Sequence, residues 1–297
     1  MNKPEENSGD GNKHQKPTKK KLSKWILWPV FILGLLIFSY PFFSQAYYRK
    51  VSKQEVNTFN DSVKSLESVE VDKRIELAKA YNKTLDPSRI MDPYSAEEEA
   101  GRAEYARMLE LKEKIGYVTI PKLDLMIPTY AGTSEFVLQK GAGHLEGTSL
   151  PVGGKDTHSV ITAHRGLPSA ELFTHLDKLE KGDIFYFTNI QTTLAYRVDQ
   201  ILVVEPSNFE PVLVVDGEDY MTLLTCTPYM INSHRLLVRG TRIEYTPPAQ
   251  ENLLPDNRAS RLYMYLALGM GLLVLILILL VYKNNRKIKK IRKGLDD

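Results

Sequence analysis

Cysteine is almost absent from this sequence, since Cys226 is the only one in 297 residues. A single cysteine cannot form an intramolecular disulfide, and it cannot supply the thiolate cluster of a structural zinc site. The sequence also lacks His-x-x-x-His and Cys-x-x-Cys spacings, the Gly-x-Ser-x-Gly of many serine hydrolases and the G-x-G-x-x-G of nucleotide-binding loops. We therefore expect no metal site, no serine nucleophile of that type and no bound cofactor.

The body of the chain has no excess of positive charge. The formal net charge is +3, but seven lysines lie in residues 1–24 and seven lysines or arginines in residues 283–297. The residues between these two tails carry more acidic than basic side chains. A basic surface for nucleic acid is therefore missing, and no nucleic-acid partner is expected. The hydrophobic content of 43% and the charged content of 25% exclude a wholly disordered chain.

Two long runs contain no charged residue, Trp25–Phe43 and Leu262–Tyr282. As helices they would be about 28–32 Å long, which matches a hydrocarbon core of about 30 Å. One basic tail precedes the first run and the other follows the second run, and basic residues favour the cytoplasmic side. The sequence therefore predicts two membrane spans, both termini in the cytoplasm, and residues 44–261 outside the cell membrane.

The first run has a second interpretation as a cleaved signal peptide, because Ser44-Gln45-Ala46 has the small-x-small pattern of a cleavage site. The run is longer than a usual signal-peptide core, and Pro29 and Pro41 interrupt it. In either case the second span holds the body of the protein outside.

The first part of the segment between the two membrane runs has a sequence pattern typical of helices. Apolar residues recur at helical spacing over residues 50–112, and residues 96–114 are rich in helix formers, with Ser95 as an N-cap. Between the helical segments, residues 85–94 contain two Asp-Pro steps, which disfavour helix. The sequence predicts an extended loop there.

After Ile115 the sequence changes to short runs rich in Val, Ile, Thr and Tyr, separated by Gly, Pro and Asp. The predicted strands are Gly116–Ile120, Leu125–Tyr130, His158–Ala163, Ile184–Thr188, Thr193–Glu205, Tyr220–Thr225 and Arg235–Tyr245. Short strands without long intervening helices favour an antiparallel barrel or sandwich. One short helix is expected near Leu172–Leu179, and a polar tether follows Thr246.

Cys226 ends a predicted strand and is followed at once by Thr227-Pro228. A lone cysteine is either a small buried hydrophobe or a nucleophile, and a strand end beside a loop favours the nucleophile. An ordinary thiol is about 3% ionised at pH 7, so a catalytic cysteine needs a cationic or imidazole neighbour.

His164 is the best-placed partner among the histidines, because it also follows an apolar strand and precedes a loop. His14 lies in the cytoplasmic tail, and we interpret the remaining four as structural: His144, His158, His175 and His234. Arg235 and Arg239 lie just beyond Cys226, and their even spacing places them on one face of the next strand. Either could stabilise an oxyanion, although a solvated charged pair on a barrel surface is the more common explanation for such a pair.

With these residues the sequence resembles a sortase, and specifically a class C, pilin-polymerising sortase of Gram-positive bacteria. Four ordered strings carry the resemblance: Gly143–Gly154, Thr162–Gly166 (TAHRG), Thr222–Cys226 (TLLTC) and Asn232–Gly240. Ala163 stands where glycine is frequent in the family, and this departure does not affect the chemistry.

The resemblance implies a mainly β protein with a closed eight-stranded sortase barrel. It implies Cys226 as nucleophile, His164 as general acid and base, and Arg235 as the group that stabilises substrate and oxyanion. It also implies a lid at Asp92-Pro93-Tyr94, in which Asp92 would pair with Arg235 and Tyr94 would cover Cys226. Thr225 and Arg239 are further candidates for substrate binding.

The expected domain plan has seven segments: a basic cytoplasmic tail (1–24), a membrane helix or signal anchor (25–43), a helical segment (44–114) with the lid loop (85–94), the barrel (115–246), a tether (247–261), a second membrane helix (262–282) and a second basic tail (283–297).

The function implied by the resemblance is that of a membrane-anchored cysteine transpeptidase. It would cleave LPXTG-like sorting signals of pilin precursors between Thr and Gly and pass the acyl group to a lysine amine of another pilin. Two alternatives stay open. One is a housekeeping sortase that anchors proteins to peptidoglycan, and the other is a non-catalytic two-span receptor or assembly scaffold.

Overall fold

A computed structural model of the protein describes residues 24–85, 90–94, 104–247 and 258–293. The chain divides into two compact units, residues 1–40 and residues 41–297. Most of the tether, most of the first basic tail, residues 294–297 of the second tail and the predicted helix start at Ser95 lie outside the described residues.

The described part of the chain contains four α-helices: α1 (Lys24–Lys64), α2 (Ser68–Asn82), α3 (Glu135–Lys140) and α4 (Arg258–Lys293). Within the described residues, one helical stretch, Pro29–Lys64, is long and apolar enough to cross a membrane. In α4 the apolar stretch described is shorter, Gly271–Asn284. The N-terminal span therefore has structural support, whereas the second span is not confirmed.

Eight strands form a closed barrel. They are β1 (Lys114–Ile120), β2 (Leu125–Ala131), β3 (Ala142–His144), β4 (Thr157–Thr162), β5 (Ile184–Thr188), β6 (Thr193–Val204), β7 (Asp219–Thr227) and β8 (His234–Ile243). Their order around the barrel is β1-β2-β3-β4-β7-β8-β6-β5. The predicted closed eight-stranded barrel is confirmed. Closure leaves no sheet edge exposed.

Two pairs of strands in the barrel are parallel, β2 with β3 and β4 with β7, and the other pairs are antiparallel. Parallel neighbours end at the same rim of a sheet. The β4–β7 pair therefore presents its two carboxyl ends side by side, which decides where the functional side chains meet.

The second half of α1 packs against the outside of the barrel. The Ser52 hydroxyl donates to the carbonyl of Met126 at 2.6 Å, and the Phe59 ring meets the Tyr117 ring edge-on at 6.2 Å between centroids. Phe59 is fully buried, so this contact removes a large apolar surface from water. Helix α1 is thus part of the folded domain from Pro41 onward.

Three local predictions were inaccurate. Residues 104–109 form a 3-10 helix and Lys114 already belongs to β1, so the helix expected over residues 96–114 does not extend to its end. Near Leu172–Leu179 the only regular turn is a 3-10 helix at Leu176–Lys178. Strand β3 was missed because two of its three residues, Ala142 and Gly143, have little strand propensity.

Candidate active site

The paired ends of β4 and β7 bring His164 and Cys226 to the same rim of the barrel. The strands are in register at Thr162 and Leu224, and the Ala163 amide extends the ladder by donating to the Leu224 carbonyl at 3.2 Å. His164 and Cys226 each lie two residues beyond that registered pair. The structure therefore places side by side two residues that are far apart in the sequence.

Arg235 lies directly across from Cys226 in the antiparallel β7–β8 pair. Directly opposed residues in such a pair have Cβ atoms about 4.5–5.5 Å apart. Both residues are buried, with 6% of Cys226 and 7% of Arg235 exposed. The thiol thus has a guanidinium as its cross-strand neighbour.

The guanidinium of Arg235 is occupied by the carboxylate of Asp92. Its Nε donates to Oδ1 and its Nη2 donates to Oδ2, both at 2.7 Å. Two parallel bonds of this length are the strong bidentate form of an arginine–carboxylate pair. The Arg235 Nη1 donates to the carbonyls of Asn232 and His234, which fixes the guanidinium plane.

Tyr94 follows in the same segment and lies beside His164 and Arg235. Its hydroxyl donates to the Ala163 carbonyl at 2.7 Å and accepts from the Thr162 hydroxyl at 2.9 Å. The ring centroid lies 5.6 Å from that of His164 and 5.1 Å from the Arg235 guanidinium carbon. Burial raises the pKa of Tyr94 above its ordinary value, so the phenol stays neutral and can keep donating.

The environment keeps Cys226 protonated. Burial raises the pKa of the thiol to about 11; the Arg235 charge lowers it and the Asp92 charge raises it, so desolvation and the carboxylate together outweigh the guanidinium. The thiolate is the nucleophilic form of cysteine, and this environment disfavours it.

His164 has a further neighbour that sequence analysis missed. Its Nε2 lies 3.2 Å from Oε2 of Glu135, the first residue of α3. The other carboxylate oxygen accepts a bond from Gln139 at 2.8 Å. No short motif links Glu135 to His164, which are 29 residues apart, so only the fold could reveal this contact.

The two further candidates for substrate binding have other contacts. Thr225 is fully buried, and its hydroxyl donates to the Ala163 carbonyl at 2.7 Å. Arg239 forms two bonds with the carboxylate of Asp199 and stacks over the Tyr220 ring. It lies four residues from Arg235, which is about 13 Å along a strand. The structure does not bring Arg239 to Cys226.

Two of the histidines interpreted as structural are enclosed in the barrel wall. In His144, Nε2 donates to the Ser149 carbonyl and Nδ1 accepts from the Tyr105 hydroxyl, both at 2.8 Å. In His158, Nδ1 donates to the Leu213 carbonyl and Nε2 accepts from the Thr222 hydroxyl. Each ring satisfies both nitrogens in its neutral form. Burial lowers the pKa of both residues to about 4.

Acid should therefore destabilise the fold in a defined pH range. Unfolded histidine binds a proton near pH 6.5, whereas folded His144 and His158 resist it until about pH 4. The unfolded state thus binds more protons within this range, and the free energy of unfolding falls as pH falls through it. We expect a loss of about 2 kcal/mol per residue between pH 7 and pH 5.

Urea denaturation of the purified chain at several pH values measures this loss. The matched control for the loss of one histidine is His175→Gln, because that side chain is 43% exposed. Equal stability at pH 7 and pH 5 would contradict the interpretation of His144 and His158 as buried neutral residues.

Comparison with known proteins gives consistent similarities. A sortase-domain family profile matches residues 118–243. Sortase A of Bacillus anthracis is 27% identical over 190 residues, covering 64% of this chain and 86% of that protein. The pilus-related sortase C of Group B Streptococcus is 57% identical, with a TM-score of 0.63 over 64% of this chain and 97% of that one. Sortase C-1 of Streptococcus pneumoniae is also 57% identical, with a TM-score of 0.64 over 65% of this chain and all of that one.

Proposed function

The chain belongs to the sortase family of cysteine transpeptidases, with pilus-related class C sortases among its structural neighbours, and we propose that it joins pilin subunits at the outer face of the membrane. Its donor substrate is a pilin precursor with an LPXTG-like sorting signal, and its acceptor is a lysine amine of another pilin. The observation that carries this proposal is the Cys226–Arg235 pair beside His164, under a segment whose carboxylate occupies the arginine.

In the first step Cys226 gives its thiol proton to His164, and the sulfur attacks the carbonyl carbon between Thr and Gly of the sorting signal. A carbon–sulfur bond forms, and the carbonyl oxygen takes up negative charge. Arg235 is positioned to donate hydrogen bonds to that oxyanion. His164 then gives a proton to the departing glycine amine, the carbon–nitrogen bond breaks, and a thioester remains.

In the second step a lysine amine attacks the thioester. His164 takes the proton from the amine as the new carbon–nitrogen bond forms, and the Cys226 sulfur leaves. The products are an isopeptide bond between two pilins and the free enzyme. Water competes with the amine at this point, so a site that excludes solvent favours transfer over hydrolysis.

The segment Asp92-Pro93-Tyr94 acts as a self-inhibitory lid in this proposal. Asp92 holds the guanidinium that the oxyanion needs, and Tyr94 lies between His164 and Arg235. A sorting signal therefore has to displace the lid before reaction. The lid also supports the proposed role of Arg235 in stabilising the oxyanion. The Asp92 carboxylate binds Arg235 at the position where the negative charge of the substrate oxygen would develop.

The membrane anchors the enzyme next to its substrates. The N-terminal run Trp25–Phe43 supplies one span, and we propose that Leu262–Tyr282 supplies a second, since it also contains no charged residue. The basic tails at both ends then lie in the cytoplasm and the barrel lies outside. Confinement to one surface raises the effective concentration of enzyme and membrane-held pilin precursors.

Intact-protein mass spectrometry tests the chemistry. The purified chain is mixed with LPXTG-like peptides, and the expected result is a mass increase equal to the acyl fragment up to Thr, which hydroxylamine removes. Addition of a pilin segment that contains a lysine should convert the adduct into an isopeptide-linked product.

The alternatives predict different outcomes of this experiment. A peptide that binds but never forms an adduct on Cys226 would support a non-catalytic receptor. A thioester that passes to a peptidoglycan stem amine and not to a pilin lysine would support a housekeeping sortase.

A further inference from the structure

Arg165 is a buried cation with three partners, two in the stretch that follows His164 and one at the end of β7. Its side chain is 8% exposed. Its Nε donates to the Thr174 carbonyl at 3.2 Å, its Nη1 donates to the Thr227 hydroxyl at 2.9 Å, and its Nη2 lies 2.9 Å from the Asp177 carboxylate. A buried guanidinium needs such partners, because an unpaired charge is costly to remove from water.

The sequence positions of these partners matter for the reaction. Arg165 immediately follows His164, and Thr227 immediately follows Cys226. The Arg165–Thr227 bond therefore spans 62 residues and joins the two chain segments that carry the proposed acid/base and the proposed nucleophile. Strand β4 ends at Thr162 and its last registered pair with β7 is Thr162–Leu224, so backbone pairing between these two strands does not extend to His164 and Cys226.

The same guanidinium also shapes the loop that follows His164. The loop folds back so that the Phe173 amide donates to the His164 carbonyl at 3.1 Å and the Gly166 amide donates to the Thr174 hydroxyl at 3.2 Å. Arg165 closes this turn through the Thr174 carbonyl. The loop after His164 is thus held at its near end by Arg165 and tied by the same side chain to β7.

We propose that Arg165 and Thr227 form a latch that sets the distance between the His164 imidazole and the Cys226 thiol during transfer. Arg165 is a positioning residue, since its donors are directed at the protein and not at the reacting atoms. The inference rests on the proposed function for its catalytic consequence. Its structural basis, the bond between the two strand ends, is independent of that function.

The geometry explains why arginine occupies this position. Three acceptors around one planar group require donors in a fixed fork, which a lysine ammonium cannot reproduce. A displacement of about 1 Å between reacting groups can cost about 100-fold in rate. A loosened latch should therefore reduce the rate of the chemical step and leave peptide binding nearly unchanged.

A matched pair of substitutions at Thr227 tests the latch. Thr227→Val keeps the shape of the side chain and removes the hydroxyl, whereas Thr227→Ser keeps the hydroxyl. We expect Thr227→Val to lower kcat about tenfold with KM for the sorting peptide within about twofold, and Thr227→Ser to stay within about twofold of the parent in both. Thr193→Val in the β5–β6 hairpin is the control for loss of a half-buried hydroxyl.

The double-mutant cycle with Arg165→Lys separates a latch from two independent effects. If the two side chains act through one bond, Arg165→Lys with Thr227→Val should lower kcat no more than the stronger single substitution does. Additive losses would overturn the proposal, as would a parent-like kcat in Thr227→Val. A kcat loss matched by an equal loss of folded protein would also overturn it, because it would show a purely structural role.

Hydrogen exchange provides a readout that does not need activity. The Gly166 and Phe173 amides should exchange faster in Arg165→Lys and Thr227→Val than in Thr227→Ser, because their bonds depend on the loop after His164. Unchanged exchange in all three variants would show that Arg165 does not hold the loop. Faster exchange in a chain that forms no thioester would support the latch and contradict only the proposed function.

Discussion

Replacing Cys226 by alanine is expected to abolish transfer of the sorting peptide, with a loss of at least about four orders of magnitude in rate. The reason is that the proposed thioester has no other attachment point, since Cys226 is the only thiol in the chain. The substitution removes one buried sulfur atom and breaks no hydrogen bond described in the structure, so the variant should remain folded. Thermal unfolding of parent and variant checks that condition.

The cellular form of this experiment uses a host without other sortases. The parent chain should assemble high-molecular-weight pilin polymers, and Cys226→Ala should leave pilin monomers. Polymers formed by Cys226→Ala would end the proposed mechanism. Cys226→Ser is a useful companion, because its hydroxyl occupies nearly the same space but is a much poorer nucleophile at neutral pH, and it should be almost as inactive.

Opening the lid is expected to increase the reactivity of Cys226 toward a thiol reagent about 10- to 100-fold at neutral pH. The variant combines Asp92→Ala and Tyr94→Ala. Loss of the Asp92 charge removes one cause of the raised pKa of Cys226, and loss of the Tyr94 ring admits water, which weakens the desolvation that is the largest cause. Arg235 is then free to stabilise the thiolate.

The measurement is the rate of alkylation of Cys226 over a range of pH. In the parent the rate should keep rising toward about pH 11, and in the lid variant it should level off at lower pH. Met91→Ala is the matched control, because this neighbouring side chain is half exposed and contributes no contact to the site described here. Equal labelling rates in parent and lid variant would remove the claim of self-inhibition.

Short strands rich in Val, Ile, Thr and Tyr, separated by Gly, Pro and Asp, predicted an antiparallel barrel or sandwich, and the resemblance implied the closed eight-stranded barrel. The two parallel pairs were not predicted. The sequence was not sufficient for β3, whose Ala142-Gly143-His144 pairs only because β2 and β4 lie on either side of it. The helix α3 was missed for a similar reason. Six residues form too weak a periodic pattern, and tertiary contacts decide the conformation.

The residues of the candidate site could be predicted where they lie in a sequence motif. They could not be predicted where they meet only through contacts between distant parts of the chain. Cys226 and His164 stand out as ends of apolar runs, and the resemblance named Arg235 and the lid segment. Glu135 carries no such signal, and Arg165 lies in the TAHRG string without a role assigned to it. The even spacing of Arg235 and Arg239 was read correctly as one strand face, but parity does not measure distance along the strand, and Asp199 holds Arg239 elsewhere.

The parallel pairing of β4 with β7 has a consequence for biosynthesis. Bonds such as the one from Thr225 to Ala163 connect positions 62 residues apart, so they form late and slowly in folding. During synthesis the His164 imidazole emerges before the Cys226 thiol, and the Arg235 guanidinium emerges last. These three groups belong to different segments of the chain, so the site is assembled only when the barrel closes.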